Sequence, residues 1–299
     1  MPMPFEPMLC QVGSKDMLDR LPTTGYIIEP KLDGQRILAE RKNGEIRLWT
    51  RRGLNCASKF PEVIEELWLL PAMDWLLDGE LTVGGDFCNI LKRNTDDKLK
   101  IRIMSKKMPA TFWVFDILKF GEMLMVNNVV LSERKAILKD FLVPSGRVEF
   151  VPSVTRSARE YFEQYTEQGG EGVEVKRSDS RYEPGVRSAH WLKVKKWIVE
   201  DVQVIGATRS DAGLPFAALI LAQGSEYYGK VGTGFSHKDR VEILATLKAH
   251  CDAVGRYELP RDIRSQVLVE CSPIEAEIKL MEKLKGSPRF PVWLRFRRV

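Results

Sequence analysis

The sequence predicts an α+β protein of two domains, residues 1–199 and 200–299. Three observations lead there. A chain of 299 residues exceeds the ~100–200 residues of a usual domain. Up to about position 199, short β-prone segments are mixed with amphipathic helical stretches, with no internal repeat. Beyond about Glu200 the texture changes to short strands, Gly-containing turns and one helix.

The elements follow in order. Residues 26–28, 36–40 and 45–50 are β-prone, and Asn43-Gly44 between the last two signals a hairpin. Residues 60–70 carry Pro61 near a first turn and Val63, Ile64, Leu67 and Trp68 at helical spacing. Strands at 75–77 and 80–83 flank a break at Asp78-Gly79, and 111–118 (TFWVFDIL) reads as a buried strand. An amphipathic helix spans 132–141 with Ser132 as its N-cap. Another spans 157–168 and stops at Gly169-Gly170. Strands recur at 173–176 and 190–195. In the second domain, strands are expected at 202–208, 216–222, 226–231, 266–271 and 292–297, with a helix at 238–250. Short strands plus one helix in about 100 residues suggest a small β-barrel of the OB-fold type.

Composition excludes several classes. Hydrophobic residues make up 44% and charged residues 29%, too apolar for a disordered chain. The longest apolar runs, such as 216–222, fall far short of the ~20 residues that span a bilayer. The start, MPMPFEPMLC, lacks a basic segment followed by an apolar one, so a cytoplasmic location without secretion or membrane attachment is expected. Cys10, Cys56, Cys88, Cys251 and Cys271 are scattered and never in a CxxC pair, and His190, His237 and His250 lack metal-ligand spacing. That fits a reducing compartment and neither a zinc ribbon nor a disulfide framework. The net charge of +5 says less than its placement. Lys279, Lys283, Lys285, Arg289, Arg295, Arg297 and Arg298 crowd the C-terminal tail against the single acid Glu282. A second basic run holds Lys176, Arg177, Arg181, Arg187, Lys193, Lys195 and Lys196 against Asp179 and Glu183. Such runs are either solvated faces or phosphate-binding surfaces.

The sharpest segment is Glu29-Pro30-Lys31-Leu32-Asp33-Gly34-Gln35-Arg36. Alone, its Lys-x-Asp-Gly string reads equally well as a charged strand end entering an Asp-Gly turn. Leu77-Asp78-Gly79-Glu80-Leu81 follows, then Phe115-Asp116-Ile117-Leu118, then Glu171-Gly172-Val173-Glu174-Val175-Lys176, and finally Trp191-Leu192-Lys193-Val194-Lys195. A strand puts residues i and i+2 on one face, so Lys193 and Lys195 share a side.

This ordered set resembles the nucleotidyltransferase motifs of ATP-dependent DNA ligases, relatives of RNA ligases and mRNA capping enzymes. Arg51-Arg52-Gly53, Phe60-Pro61-Glu62 and the stretch from Ser180 to Trp191 look like the ligase domain of bacterial end-joining enzymes of the ligase D type. The resemblance runs from about Phe5 to about Gly234, and more loosely through the tail.

The resemblance implies an adenylation domain of antiparallel sheets with flanking helices that holds ATP, followed by an OB-fold domain. It implies that Lys31 is the nucleophile that takes AMP from ATP, which needs an unprotonated amine. A free lysine titrates near ~10.4, so desolvation and the neighbouring cations Lys193 and Lys195 are expected to disfavour the ammonium. Those two lysines would also bind the phosphates. Glu29 would read the adenine edge and Phe115 would stack on the ring. Glu80 would contact ribose or metal, and Glu171 would help hold Mg²⁺. Arg36, Arg51 and Arg187 would bind the nucleotide or a nick's 5′-phosphate. Asp33 would serve the later steps. Arg289, Arg295 and Arg297 match the last ligase motif, which orients the ATP β- and γ-phosphates.

The implied substrate is nicked double-stranded DNA, handled by a monomer with no extra N-terminal DNA-binding domain. Any end-joining partners would be separate proteins. RNA ligase or capping-type activity is the alternative within the class, and a non-catalytic nucleic-acid-binding module the alternative outside it. NAD⁺-dependent ligases are set aside because their four-cysteine zinc site is missing from the sequence. Two positions depart from the pattern. The chain ends Arg297-Arg298-Val299 where relatives continue, and Glu174 occupies a strand position that is usually apolar.

Overall fold

The computed structural model describes residues 2–85, 87–251, 257–284 and 287–297, and nothing of the side chains at 87, 282 and 284. Lys285 and Arg298 of the basic tail lie outside the described residues. The chain forms two compact units, Met1–Lys195 and Lys196–Val299.

The first unit runs β1 (Leu9–Val12), α1 (Lys15–Leu18), β2 (Tyr26–Pro30), β3 (Gln35–Lys42), β4 (Glu45–Thr50), α2 (Pro61–Leu67), β5 (Trp75–Thr82), α3 (Phe87–Arg93) and α4 (Lys98–Lys107). It continues β6 (Thr111–Phe120), β7 (Met123–Leu124), α5 (Leu131–Phe141), β8 (Val148–Phe150), α6 (Ala158–Glu167), β9 (Gly172–Arg177) and β10 (Arg187–Lys195). Two sheets form, in the orders β1-β10-β9-β2 and β4-β3-β5-β6-β7. Both are antiparallel apart from two parallel pairings, β1 with β10 and β8 with β6.

Period-two alternation splits each strand between two layers. Cys10, Ile27 and Trp191 of the first sheet pack with Leu38, Trp49, Leu76 and Phe115 of the second. Their strand neighbours point outward. Ile28, Val173, Val175 and Val194 meet Phe162 of α6, and Ile37, Ala39 and Leu77 meet Val63 of α2 and Leu138 of α5. The result is two facing sheets with a helical layer outside each.

Local chemistry explains where the elements differ from expectation. Asp78-Gly79 does not break the chain. It lies inside the continuous strand β5, where register shifts against β6 absorb it. A Cβ at Gly79 would sit 2.5 Å from the Trp113 carbonyl oxygen, so glycine lets the strands close there. The 132–141 helix begins one residue earlier, with Val130 at its N-cap. Ser132 instead donates its N–H to the Ser178 carbonyl. Ser157 does cap α6, accepting from the Glu160 N–H.

The second unit contains β11 (Ile198–Thr208), β12 (Leu219–Gln223), β13 (Glu226–Val231), α7 (His237–Ala249), α8 (Arg261–Arg264), β14 (Val267–Leu280), β15 (Glu282–Leu284), β16 (Ser287–Arg289) and β17 (Val292–Phe296). Five strands form an antiparallel sheet, β13-β12-β11-β14-β17, and β15 pairs with β16. The sheet curls on itself: Trp293 of β17 donates its N–H to the Thr233 carbonyl, just beyond β13, at 2.9 Å. α7 packs Ile243 and Leu247 into the core beside Trp293. Among the described residues no helix is long and apolar enough to cross a membrane.

Between the sheets of the first unit, Arg134 donates to both oxygens of Asp116 at 2.8 Å, and both side chains are fully buried. Asp116→Ala would strand a buried guanidinium, and is expected to cost about 3–5 kcal/mol in urea unfolding followed by tryptophan fluorescence. A loss under about 1 kcal/mol would show that Arg134 finds other compensation.

Candidate active site

Strand register assembles the site before any ligand is considered. In the first sheet Glu29, Glu174 and Lys193 stand side by side across β2, β9 and β10. Ile27, Lys176 and Trp191 form the next row in the same facing direction. Lys195 pairs with Gly172 at the other end, and Lys31 donates its N–H to the Gly172 carbonyl at 2.9 Å. Alternation therefore aims Glu29, Lys31, Glu174, Lys176, Lys193 and Lys195 at the second sheet. That sheet answers with Arg36, Asp78 and Glu80, brought together by the pairing of β3 with β5.

The loop carrying Lys31 fits closely against β5. A Cβ at Gly34 would lie 2.3 Å from the Leu81 carbonyl oxygen, so only glycine permits that approach. Lys31 Nζ lies 2.6 Å from Glu171 Oε2, and Lys195 Nζ lies 2.9 Å from Glu171 Oε1. Sequence reasoning placed Lys31 among cations that would strip its proton, and the structure corrects this. Burial does work against the charge, but Glu171, with Glu174 and Glu80 beyond it, outweighs burial and holds the Lys31 ammonium above its ordinary range. The depression falls on Lys193 instead. Its burial and the cations Lys195, Lys31 and Arg187 push its pKa down.

Glu29 is 1% exposed and clamped between Lys176, at 2.6 Å, and Lys135. Lys176 also reaches Glu174 at 3.2 Å. This accounts for an acid at an otherwise apolar strand position. Burial opposes the charge on Glu174, but Lys176, Arg36 and Lys31 hold it as a carboxylate below the usual range. The Lys176 ammonium stands 4.0 Å from the Phe115 ring centroid and 4.4 Å from that of Trp191. Phe115 is only 7% exposed and also has the Arg36 guanidinium carbon 5.2 Å from its centroid. A purine could stack on it only if these cations gave way.

Arg36 is held to Asp78 by two hydrogen bonds, of 2.9 and 2.6 Å. Tyr182 donates to Asp78 at 2.6 Å and accepts from the Met8 N–H at 3.1 Å. Tyr182 and Lys176 are site supports that sequence reasoning left without a role. Their signal was position: both sit inside matched motifs. Glu80, half-buried on the facing sheet, is pushed up to about 8, chiefly by burial and further by Glu174.

Asp33 is half-buried in the Lys31 loop. Arg51 is exposed in the turn after β4. Arg187, at the start of β10, donates to the Cys10 carbonyl at 2.6 Å. On the second unit, Arg295 bonds Glu277 at 2.7 Å, and Arg297 reaches Glu277 at 3.2 Å and Asp201 at 2.8 Å. Arg289 lies in β16 with its guanidinium carbon 5.0 Å from the Phe290 ring centroid.

A lysine held by a carboxylate thus lies between two facing sheets, with further lysines and an arginine around it. The family model "ATP dependent DNA ligase domain" matches residues 7–195. DNA ligase 1 of Methanosarcina mazei is 32% identical over 283 residues, covering 83% of this chain and 48% of that protein. The end-joining protein LigD of Mycolicibacterium smegmatis is 28% identical over 303 residues, covering 98% and 38%. A solved Lig E DNA ligase superposes with a TM-score of 0.66 at 22% identity, covering 97% of this chain and 99% of its own. The chain belongs to the ATP-dependent DNA ligase family, and the likeness to ligase D read from its motifs is matched by these relatives. It spans about half or less of the length of the curated relatives just described.

The Glu80 proton gives a test. Unfolded, the group releases it near its ordinary value of 4.5; folded, it keeps it to about 8. The wild type and Glu80→Gln should therefore match in stability at the acid end of this window. The wild type should then lose ground progressively as pH rises through it. A difference in unfolding free energy that stays flat with pH would refute the assignment.

Proposed function

We propose that this chain is a DNA ligase that seals 3′-hydroxyl/5′-phosphate nicks in duplex DNA. AMP would be carried first on Lys31 and then on the nick's 5′-phosphate. The observation that carries the reading is the placement of Lys31 Nζ at 2.6 Å from Glu171, with Lys195 on the same carboxylate and Lys193 on the same sheet face. In the first step Lys31 Nζ loses its proton and bonds to the ATP α-phosphorus, and the bond to pyrophosphate breaks. Glu171 positions the amine but also keeps it protonated, so the ion pair must loosen before attack. A triphosphate entering between Lys193, Lys195 and Arg36 would offer these cations a polyanion in place of the protein's own carboxylates. Glu29 and Phe115 are the candidates for the base, and Asp33, Arg51 and Arg187 for the nick.

Glu80 and Glu171 fit a magnesium ion. Both lie close enough to Lys31 to raise its pKa, Glu171 already holds two cations, and the burial and Glu174 charge that push Glu80 up to about 8 would be relieved by a divalent cation in place of its proton. Among the described residues no three acids, histidines or cysteines gather as a closed metal cage. Magnesium needs none, since it commonly takes one or two carboxylates plus substrate phosphates. Bound there, it would neutralise phosphate charge. The second unit is read as an OB-fold whose Arg289, Arg295 and Arg297 orient the ATP phosphates.

Incubation with α-labelled ATP and magnesium is expected to label the wild type covalently and to leave Lys31→Ala at background. Nicked DNA should then be sealed in preference to nicked RNA. Absence of label on the wild type, or equal label on Lys31→Ala, would overturn this reading.

A further inference from the structure

α4 belongs to neither basic run singled out in the sequence. It carries Lys98, Lys100, Arg102, Lys106 and Lys107 with no acid in the helix. All five are exposed, and among the described residues none is held in an ion pair. The two acids that precede the helix are engaged elsewhere. Asp96 pairs with Lys59 at 3.1 Å, and Asp97 caps the helix by accepting from the Leu99 and Lys100 N–H groups. The C-terminal end of the helix is anchored, because buried Arg93 donates to the Met108 carbonyl at 2.9 Å and pairs with Glu62. Ile101 is buried beneath it.

Helical geometry sorts the exposed face. Lys98, Arg102 and Lys106 follow at i, i+4 and i+8 and form one row, with steps of about 6 Å along the axis. Lys100 and Lys107 fall on the far side of that face. Between them stand Leu99 and Ile103, 67% and 44% exposed. The segment bearing α4 leaves β5 just after Glu80 and returns at Thr111. At that same end of the sheet Gln35, four residues beyond Lys31, pairs with Leu81. The row thus springs from the end of the sheet that carries the reactive loop.

We infer that α4 is a docking surface for the phosphate backbone of duplex DNA beside the site, with the cation rows on phosphates and Leu99 and Ile103 against the sugars between them. Unpaired cations in a fixed row, with no acid inside the helix and the two preceding acids engaged by Lys59 and the helix N–H groups, are complementary to a nucleic-acid strand. An anionic membrane fits less well. An interfacial helix buries a broad apolar face in lipid, and here Ile101 is spent on the protein and only Leu99 and Ile103 are left, each between cations. The inference rests on the DNA ligase reading above, which says which duplex arrives.

The test uses the full chain and a dye-labelled nicked duplex, with anisotropy titrations across a range of salt. The triple variant K98Q/R102Q/K106Q is expected to bind about tenfold to a hundredfold more weakly at low salt. Its slope of log K against log salt should be shallower by about 3. Labelling of Lys31 from α-labelled ATP, which needs no DNA, is read in the same samples and should match the wild type. Normal labelling with unchanged affinity and slope would overturn the docking surface and leave the ligase reading standing. A wild type that binds DNA through this row but takes no label would do the reverse. Weaker binding with an unchanged slope would also overturn the inference. So would wild-type co-sedimentation with phosphatidylserine vesicles that the variant loses while its DNA affinity holds.

Discussion

One carboxylate sets the state of the site. Glu171 holds Lys31 with one oxygen and Lys195 with the other, and so links the end of β2 to the end of β10 across the strand between them. Burial by itself would favour a neutral lysine, and the carboxylate reverses that preference. The amine proposed to attack ATP is thereby fixed in place and kept protonated by one contact. A ligand that competes for Glu171 or its lysines changes position and protonation together. In the proposed reaction this would link ATP entry to chemistry without a separate moving part.

The same logic extends along the sheet face. Glu29 and Glu174 are register partners of like sign, and Lys176 in the next row pairs with both, so each of these buried acids has an opposite neighbour. Glu174 makes sense only in this setting. An apolar residue there would leave Lys176 with Glu29 alone, and Glu29 is already shared with Lys135. The acid also accounts for part of the upward push on Glu80 across the gap. One substitution in a strand thus reaches both walls of the site.

Much of this was legible in the sequence because short-range rules suffice for it. The 3.6-residue period marked α2, α5 and α6, Gly169-Gly170 announced the end of α6, and period two placed Lys193 and Lys195 together. Other features depended on contacts far apart in the chain. Residue spacing alone cannot show that Glu171 would neutralise the field around Lys31, since the two are 140 positions apart. The apparent break at Asp78-Gly79 disappears because β3 and β6 flank β5 and force it straight. α4 was overlooked because its apolar side reduces to little more than Ile101, too weak a stripe for a periodicity argument. Its five cations, free of acids, were a usable signal all the same.

Buried ion pairs are poor sources of stability, because the desolvation of two charges offsets most of their attraction. Arg36 with Asp78, Arg134 with Asp116 and Lys176 with Glu29 all lie between the sheets of the first unit. What holds that unit together must therefore be apolar packing: an inner cluster of Ile27, Leu38, Leu76 and Trp191 beside the charges, and outer layers where Ile37, Leu77 and Val63 pack on one flank and Val173, Val194 and Phe162 on the other. The consequence is a partial division of labour by face. Each strand of the site presents an outward apolar row that maintains the fold and an inward row that mixes apolar contacts with charge. Changes that keep the inward charges balanced should then alter chemistry more than stability, whereas removal of a single partner should damage both.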